Sequence, residues 1–571
     1  MSILALNSIW EPIRMFRVTD PQESLLGVEY MLGKEKMGRM KKTWAQPFRT
    51  QVLPLINEEA FADMYCLDNG APNKSVRTMV AIHLLKDQYD LTDEETLQMY
   101  EWNNQWHFAL AVDPAAAHLC RKTMHNFRVR VVETEKGREL FDQVADGVAK
   151  LGKIDFGVQR TDSTHIVSNM MLLNRLGLFV KTIEGFLDKL ERMDPKRLEG
   201  LPERFFERYI NRKGYFADSK SSKARRKLEA CAKDLHWLIE QFGDDEKISN
   251  LKQYRRMKRL FKEQCKVVDG EGTEEDRVAV KEPKSKSPED KIPSDSMQSP
   301  SDEDATYGHK GKGYEAQISE TCAKKNPFQV ITDVAVTDSC GSDHNETLPT
   351  IDRLDEAGRR PDDLYADTTY ISAENIQEAD GRGVNLIGPI AGGPEKDDLL
   401  HLHEFELDDD GRIVNCPVGQ VPQDVRVIEK DTGEKSTQYF FDRDTCLACH
   451  LASECPVIRK QLPTTRSTDE QQPASTGKAR LTVTEKDIVV AQRKKLQETA
   501  EFKEAYKCRS GIEATNSEIK RKHGAGKLKV REGPRVRLSF YLKASAVNVK
   551  RFLAYATSEG AVGLRTAPVM I

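Results

Sequence analysis

The sequence predicts an α/β protein in which a helical N-terminal region precedes a central sheet. Strand and helix patterns alternate over residues 305–395, an order that favours parallel strands joined by right-handed crossovers. Residues 1–150 instead carry apolar side chains at helical spacing, as in NKSVRTMVAIHLLKDQYD. A polar insert over residues 396–490 interrupts the pattern and contains four cysteines. Together these observations indicate a mixed fold with several domains.

Composition excludes two broad classes of protein. The 571 residues are 31% charged with a formal net charge of −4, which excludes a uniformly basic protein but allows local basic surfaces. No stretch approaches the roughly 20 apolar residues of a membrane helix. Polar residues and Pro12 interrupt the N-terminus, which is unlike a signal peptide. We therefore expect a cytoplasmic protein without a membrane partner, whose clustered cysteines are candidates for metal binding rather than disulfides.

The N-terminal region, residues 1–150, is expected to contain several short helices. One covers residues 73–90, and Thr92 with Glu95 forms a capping-box signature at the start of the next. A later helix through RKTMHNFRVRVVE carries basic side chains outside an apolar stripe. Short helices that end in a basic one are typical of a helix-turn-helix DNA-binding domain. An ordinary helical bundle with a solvated basic face fits the pattern equally well.

The first strand of the core is expected within residues 151–175. β-branched residues alternate with polar ones from Val158 to Val167, and Asp162 lies in the middle of this run. Strands disfavour Asp, so an Asp at mid-strand indicates a function or, alternatively, an edge strand whose Asp faces water. Asp155, nearer the preceding turn, is a weaker candidate.

The next two segments separate this strand from the rest of the core. Residues 176–268 read as a helical insertion with amphipathic helices. Residues 269–304 are rich in Asp, Glu, Ser, Pro and Lys and contain almost no large apolar residue. Because such a segment buries little apolar surface, we expect a disordered acidic linker.

Residues 305–395 continue the core. Two strands, GYEAQISETC and FQVITDVAVTD, precede a helix, a strand (DDLYADTTY), a short helix and a last buried strand. Asp367 lies at the carboxyl end of its strand, which is the edge where open α/β sheets build their sites.

The insert over residues 396–490 contains a possible zinc site. Its cysteines follow the spacing C-x29-C-x2-C-x5-C, and they are Cys416, Cys446, Cys449 and Cys455. Four thiols with one C-x2-C pair are compatible with tetrahedral Zn²⁺, and His450 could replace one ligand. The alternative is four unpaired thiols in a variable segment.

The C-terminal region, residues 491–571, contains the most informative stretch, YKCRSGIEATNSEIKRK. As one helix over residues 506–522, it places a phenol, two cations and one carboxylate within an arc of about 60°, and these are Tyr506, Arg509, Glu513 and Lys520. A carboxylate among cations beside a basic segment suggests a metal ligand next to a polyanion. The alternative is a surface ion pair between Glu513 and Arg509. Glu518, the nearest rival, points away from the cationic arc.

These segments resemble the DDE transposases of bacterial insertion sequences. One large group of that family carries a Y-(2)-R-(3)-E-(6)-K signature, which this sequence fills with Tyr506, Arg509, Glu513 and Lys520. The stretches DSTHIVSN, HKGKGYEAQISET and YADTTYIS are also similar to the family. The resemblance implies a ribonuclease H-like catalytic core, a helical N-terminal DNA-binding domain and a subdomain inserted before the glutamate helix.

The resemblance also implies chemistry and partners. Asp162, Asp367 and Glu513 would hold Mg²⁺ or Mn²⁺, and the three other signature residues would contact the DNA strand. Such an enzyme binds terminal inverted repeats, hydrolyses phosphodiesters and transfers the 3′-hydroxyls to target DNA. The resemblance also implies a homodimer on paired DNA ends and a prokaryotic, nucleoid-associated location. The rivals are a metal-dependent DNA nuclease and a catalytically silent DNA-binding relative.

Overall fold

The computed structural model describes residues 16–19, 27–65, 73–211, 221–268, 277–391, 399–408, 410–429, 435–458 and 479–558. Within those ranges no helix is both long enough and apolar enough to span a bilayer. The N-terminal sequence MSILALNSIWEPIRM, which is unlike a signal peptide, lies outside the described residues, as do residues 269–276 of the predicted linker.

The N-terminal region is helical in its described parts. The predicted helix over residues 73–90 is confirmed at Val76–Gln88, and the basic helix at Arg121–Glu133. The capping box is confirmed too, because Thr92 Oγ1 accepts from Glu95 N while Thr92 N donates to Glu95 Oε2. The other helical segments are Val28–Met31, Lys34–Met40, Ala45–Pro47, Phe48–Val52, Leu53–Leu55, Glu59–Met64, Asp93–Trp102, Asn104–Leu110 and Gly137–Gly152.

These N-terminal helices share one apolar core with the last helix of the chain, Gly533–Thr557. Buried side chains of that helix, such as Leu542, Val549 and Phe552, pack into the same cluster as Val80 and Leu84. The long C-terminal helix therefore joins the N-terminal region to the rest of the protein.

A buried ion pair adds to the contact between the C-terminal helix and the N-terminal region. Lys543 Nζ lies 3.0 Å from Asp87 Oδ1, and both residues are 5% exposed. Lys543 also donates to the carbonyl of His523. Burial alone would raise the pKa of Asp87, but Lys543 and then Lys86 outweigh it and hold that pKa below its usual value.

Lys543→Met is expected to destabilise the folded protein by about 3 kcal/mol, because it leaves a buried carboxylate without its closest cation. The measurement is the urea midpoint of unfolding. The control is Lys529→Met, since Lys529 contacts Asp90 at 3.4 Å in a pair that is largely exposed. That change should cost only about 0–1 kcal/mol, and equal midpoints for the two variants would contradict the prediction.

The segment predicted as a helical insertion contains several helices in its described part, and these form a second apolar core. Its long helices, Arg175–Met193, Ser221–Phe242 and Lys252–Gln264, pack around fully buried Phe186, Leu235 and Met257. Shorter segments are Pro195–Glu199, Glu203–Phe205, Phe206–Ile210 and Glu246–Ser249. Before this insertion lies strand β1, Val158–Ile166, where the sequence predicted the first strand.

The prediction of a disordered acidic linker fails for residues 277–304. Strand β3, Val278–Val280, pairs with β2, Cys265–Val267, and Met297 is fully buried in the insertion's core. Glu303 accepts from Arg256 of the helix Lys252–Gln264 at 2.6 Å. A short 3₁₀ segment, Pro288–Asp290, lies between. The low apolar content of this segment does not prevent order, because Arg256 and Arg259 of a neighbouring helix contact Glu303.

The central sheet contains β1, β4 (Thr306–Gly308), β5 (Gly311–Thr321), β6 (Ile331–Asp338), β7 (Asp363–Tyr365) and β8 (Asn385–Ile387). Strand β5 is antiparallel to β1 on one side and to β6 on the other, and β4 pairs with its first residues. Strands β1, β7 and β8 are parallel neighbours. The order β6-β5-β1-β7-β8 puts the Asp162 strand at the centre.

The predicted parallel pairing is therefore correct only in part. It holds for β7 and β8, which the helix Ala373–Gly381 connects. The helix Asp343–Glu356 leads from β6 to β7, but these strands are not neighbours, because β5 and β1 lie between them. Strand β1 comes from a distant part of the chain, so local order could not reveal its place.

The polar insert has its own small sheets. Strands β9 (Glu406–Leu407) and β10 (Ile413–Asn415) form one pair. Strands β11 (Asp424–Glu429), β12 (Lys435–Phe441) and β13 (Ala479–Thr484) form an antiparallel sheet, and Leu402–Glu404 and Arg443–Leu447 are short helical turns. The helices Glu485–Glu498, Ala500–Tyr506 and Gly511–Lys522 then return the chain to the central sheet.

Candidate active site

Asp162 lies on the central strand, and the edge-strand alternative is therefore excluded. It is opposite Ile318 of β5 and is 9% exposed. Burial raises the pKa of Asp162 to about 6; nearby Asp367 also raises it, while Arg509 opposes the shift. A carboxyl group whose pKa is raised by its surroundings is a common feature of functional sites.

Asp367 lies beside Asp162 because their strands are parallel and in register. Arg160 of β1 pairs with Tyr365 of β7. Asp162 is two residues after Arg160, and Asp367 is two residues after Tyr365, so the two acids lie at the same level of the sheet. The carboxylate of Asp367 accepts from the backbone N–H of Thr369 at 2.9 Å and from its hydroxyl at 2.5 Å. These bonds hold Asp367 at the carboxyl edge of the sheet, as the sequence predicted.

The helix that carries Glu513 differs from the prediction. Residues 506–522 are not one helix: the first helix ends at Tyr506, Lys507–Ser510 is a 3₁₀ turn, and a new helix begins at Gly511. Arg160 of β1 explains the break. It donates to the carbonyl of Cys508, and its guanidinium occupies the space that a Cβ at residue 511 would need.

Arg509 brings the three predicted carboxylates together. Its guanidinium nitrogens lie 2.8 Å from Glu513 Oε1, 3.0 Å from Asp162 Oδ1 and 3.7 Å from Asp367 Oδ2. The ion pair between Glu513 and Arg509 therefore exists, but it is part of a site that includes both strands. Glu518 points elsewhere and contacts Lys550 at 2.6 Å.

The other two signature residues also lie close to this site. Tyr506 donates its hydroxyl to the carbonyl of Ala366 over 3.1 Å, next to Asp367, and burial raises its pKa to about 12. Burial lowers the pKa of Lys520, and neighbouring Lys310 lowers it further, while Asp162 acts in the opposite direction. The surroundings of Asp162 thus include two ammonium groups besides the guanidinium.

Several residues of the site were missed in the sequence. Asn516 donates to Asp162 Oδ2 at 3.1 Å, and its position three residues after Glu513 on the same helix was an available signal. Asp343 accepts from Ser163 and from Gln317, each at 2.9 Å. Nothing in its local sequence distinguishes Asp343 from the chain's many other acids.

The donor set of this site suits a hard divalent cation. Three carboxylates from rigid elements supply oxygen ligands of the kind that Mg²⁺ and Mn²⁺ prefer. In the described part of the chain, no three His, Cys, Asp or Glu side chains form a ready-made metal site. The position of Arg509 accounts for this at the carboxylates, because its guanidinium contacts each of them.

The four predicted zinc ligands lie in the insert, apart from these carboxylates. Cys416, Cys446, Cys449 and Cys455 line one cavity whose wall contains none of the three acids. Burial raises the pKa of Cys446 to about 11, and the other three thiols, led by Cys455, raise it as well. The four thiols are therefore close enough to act on one another.

Comparison with protein families gives two matches, both to transposases. Residues 415–553 match the family described as "Transposase DDE domain", and residues 41–130 match "Transposase domain (DUF772)". The first match includes the Glu513 helix and the four cysteines, and the second ends within the basic helix Arg121–Glu133, at residue 130. Neither the curated proteins nor the solved structures gave a significant match. Two separate segments of the chain are therefore similar to transposase domains, one of them to a transposase DDE domain.

Proposed function

We propose that the chain is an insertion-sequence DNA transposase that cuts DNA at the element's ends and joins the freed 3′-hydroxyls to target DNA. The observation that carries this proposal is the convergence of Asp162, Asp367 and Glu513 around the guanidinium of Arg509. These acids come from three separate parts of the sequence, and the fold brings them to one edge of a sheet.

The sheet supports a ribonuclease H-like core. Its order is β6-β5-β1-β7-β8, with β5 antiparallel to both of its long neighbours, and the first acid lies on the central strand. The second acid follows the adjacent parallel strand. The third acid lies on a helix that contacts β1 through Asn516 and Asp162.

We assign metal binding to the three carboxylates. When bound there, Mg²⁺ or Mn²⁺ supplies activation of water or a 3′-hydroxyl and stabilisation of the leaving oxygen. Lys310 and Lys520 would attract the DNA phosphates. Lys310 lies next to the site, because its Nζ is 2.8 Å from Oγ of Ser163, the residue after Asp162, and 2.5 Å from Glu315 Oε1. Tyr506 and Arg509 lie on the approach to the same acids, and Arg509 offers a forked contact to phosphate.

Arg509 has a further consequence for the free protein. Its guanidinium contacts all three acids and is only 16% exposed, so it neutralises part of their charge. A divalent cation must compete with it for the same oxygens. A DNA phosphate that pairs with Arg509 would remove the competitor, so the protein should bind metal more readily when DNA is present.

Arg509→Ala is therefore expected to tighten Mn²⁺ binding in the absence of DNA by about tenfold, or roughly 1.4 kcal/mol. The measurement is titration calorimetry with Mn²⁺ on the DNA-free full chain. Lys507→Ala is the control, because Lys507 is exposed and pairs only with Glu504 among the described contacts. Unchanged or weaker Mn²⁺ affinity in Arg509→Ala would show that Arg509 does not compete with the metal.

Gly511→Ala is expected to lower DNA cleavage by about 10- to 100-fold, the range seen when residues supporting a metal site are displaced. The added methyl would collide with the guanidinium of Arg160, which fixes the turn before the Glu513 helix. Cleavage of end-containing DNA gives the rate. Gly185→Ala is the control, because a Cβ there meets nothing within 4 Å. Equal rates for the two variants would rule out this role of Gly511.

We assign recognition of the terminal inverted repeats to the N-terminal helices. Arg121 and Lys122 are exposed at the start of the helix Arg121–Glu133. Arg128 of the same helix is committed to Asp93, with nitrogen-to-oxygen distances of 2.9 and 2.6 Å. The start of this helix is thus its free basic end, as expected of a helix that enters a groove with its N-terminal residues.

A joining assay tests the proposed function. Purified protein, pre-cleaved element ends and Mg²⁺ are mixed with a plasmid target, and joined product is expected. Because two ends must be cut together, a dimer on paired ends should be the active form in the same reaction. Cleavage without any joining would favour a metal-dependent nuclease. Binding to the ends without cleavage would favour a catalytically silent DNA-binding relative.

A further inference from the structure

The insert has a cavity whose wall is unusually rich in thiols. Its volume is about 640 Å³, and among its lining side chains are Cys416, Cys446, Cys449, Cys455 and His450. All four cysteines are free and half-buried, and each packs against the insert's own apolar cluster. Two separate parts of the insert, the turn after β10 and the segment after β12, supply these groups to one place.

Local turns already orient these thiols. The backbone N–H of Gln420 donates to Cys416 Sγ over 3.3 Å, and that of Leu451 donates to Cys449 Sγ over 3.4 Å. Hydrogen bonds of this kind stabilise a thiolate and fix the direction of a metal ligand. Cys446 and Cys449 lie one turn apart, and the backbone N–H of Cys449 donates a hydrogen bond to the carbonyl of Cys446 at 3.3 Å.

The insert has few other sources of stability. Its apolar cluster contains nine buried side chains among the described residues, the largest being aromatic residues such as Phe405 and Tyr439. Strand β11 is exposed along five of its six residues. A polar segment with so small a core gains much of its folding free energy from a structural metal when one is present.

We propose that Cys416, Cys446, Cys449 and Cys455 bind one structural Zn²⁺ ion that holds the insert together. Four thiolates form a soft donor set, which selects zinc over the hard cations suited to the carboxylate site. The four thiols line the cavity without forming a ready-made metal site among the described residues, so they must move inward to coordinate the ion. The zinc joins the turn after β10 to the segment after β12, so its loss should loosen the insert rather than the central sheet.

Metal analysis of the full chain tests this proposal. Protein purified from zinc-supplemented cells is expected to contain about one Zn²⁺ per chain. Cys446→Ser and Cys449→Ser should each lose most of it. Cys340→Ser, a free cysteine outside the insert, and His450→Ala, in the same cavity wall, should both keep it.

A second measurement covers serine variants that fail to fold. In the unmodified chain, a mercurial thiol reagent should release zinc to a colorimetric chelator, and Co²⁺ exchanged for zinc should show thiolate-to-metal charge-transfer absorption. Substoichiometric zinc in the unmodified chain, or zinc that persists in Cys446→Ser, would overturn the proposal. None of these measurements uses DNA, so their outcome is independent of the proposed transposase activity.

Discussion

Asp162→Asn is expected to reduce DNA strand cleavage by on the order of 10³-fold or more, because it removes a charged oxygen from the site that must bind the divalent cations. The loss should appear with both Mg²⁺ and Mn²⁺. Binding to DNA ends should change little, since the exposed cations at the start of the Arg121–Glu133 helix are untouched. The measurement is the single-turnover rate of nicking on end-containing DNA, together with an affinity measurement on the same DNA.

The matched control for this change is Asp363→Asn. Asp363 is the first residue of the short strand β7, and Asp367 lies two residues beyond the last one. The carboxylate of Asp363 accepts from the side chain of Asn385 at 2.9 Å. It contacts none of the three converging acids among the described hydrogen bonds and ion pairs. Normal cleavage by Asp162→Asn, or equal loss in both variants, would refute the catalytic assignment.

The three acids that surround Arg509 could be selected from the sequence because their patterns are local. A mid-strand Asp, an Asp at a strand end and a spaced set of residues around one Glu can each be seen in a short window. Register then brings Asp162 and Asp367 together, since their strands are parallel neighbours. That Asp367 lies just beyond the carboxyl end of β7 could be predicted from the alternation of strands and helices alone.

The features that sequence reasoning missed depend on distant contacts. The break in the helix at residues 507–510 comes from Arg160, which lies some 350 positions earlier in the chain and donates to Cys508. Order in residues 277–304 depends on cations of the helix Lys252–Gln264. These cations lie outside the acidic segment, so the composition of that segment does not reveal them. The place of β1 between β5 and β7 likewise follows from pairing across the whole chain.

Glu320 is the clearest case of such a contact. It is fully buried on β5, and its carboxylate meets Arg160 at 2.7 Å and Arg551 at 2.8 Å. It also accepts from Thr515 at 2.8 Å, on the helix that carries Glu513. One acid thus joins the central sheet, the C-terminal helix and the Glu513 helix.

Glu320→Leu is expected to destabilise the folded protein by about 3–5 kcal/mol, because it leaves two guanidinium groups without their buried counter-charge. The urea midpoint of unfolding should fall accordingly. Cleavage by the fraction still folded should also slow, since the Glu513 helix loses its hydrogen bond through Thr515. Glu504→Gln is the control: its pair with Lys507 is exposed, so its midpoint should match that of the unmodified chain.

A double variant separates lost charge balance from lost packing. Replacing both Glu320 with Leu and Arg551 with Met removes one of the uncompensated cations together with the acid, so it should recover part of the midpoint lost in Glu320→Leu alone. If the double variant is instead less stable than the single one, packing of Arg551 contributes more than its charge. If Glu320→Leu leaves the midpoint unchanged, the buried ion pairs do not hold the Glu513 helix against the sheet.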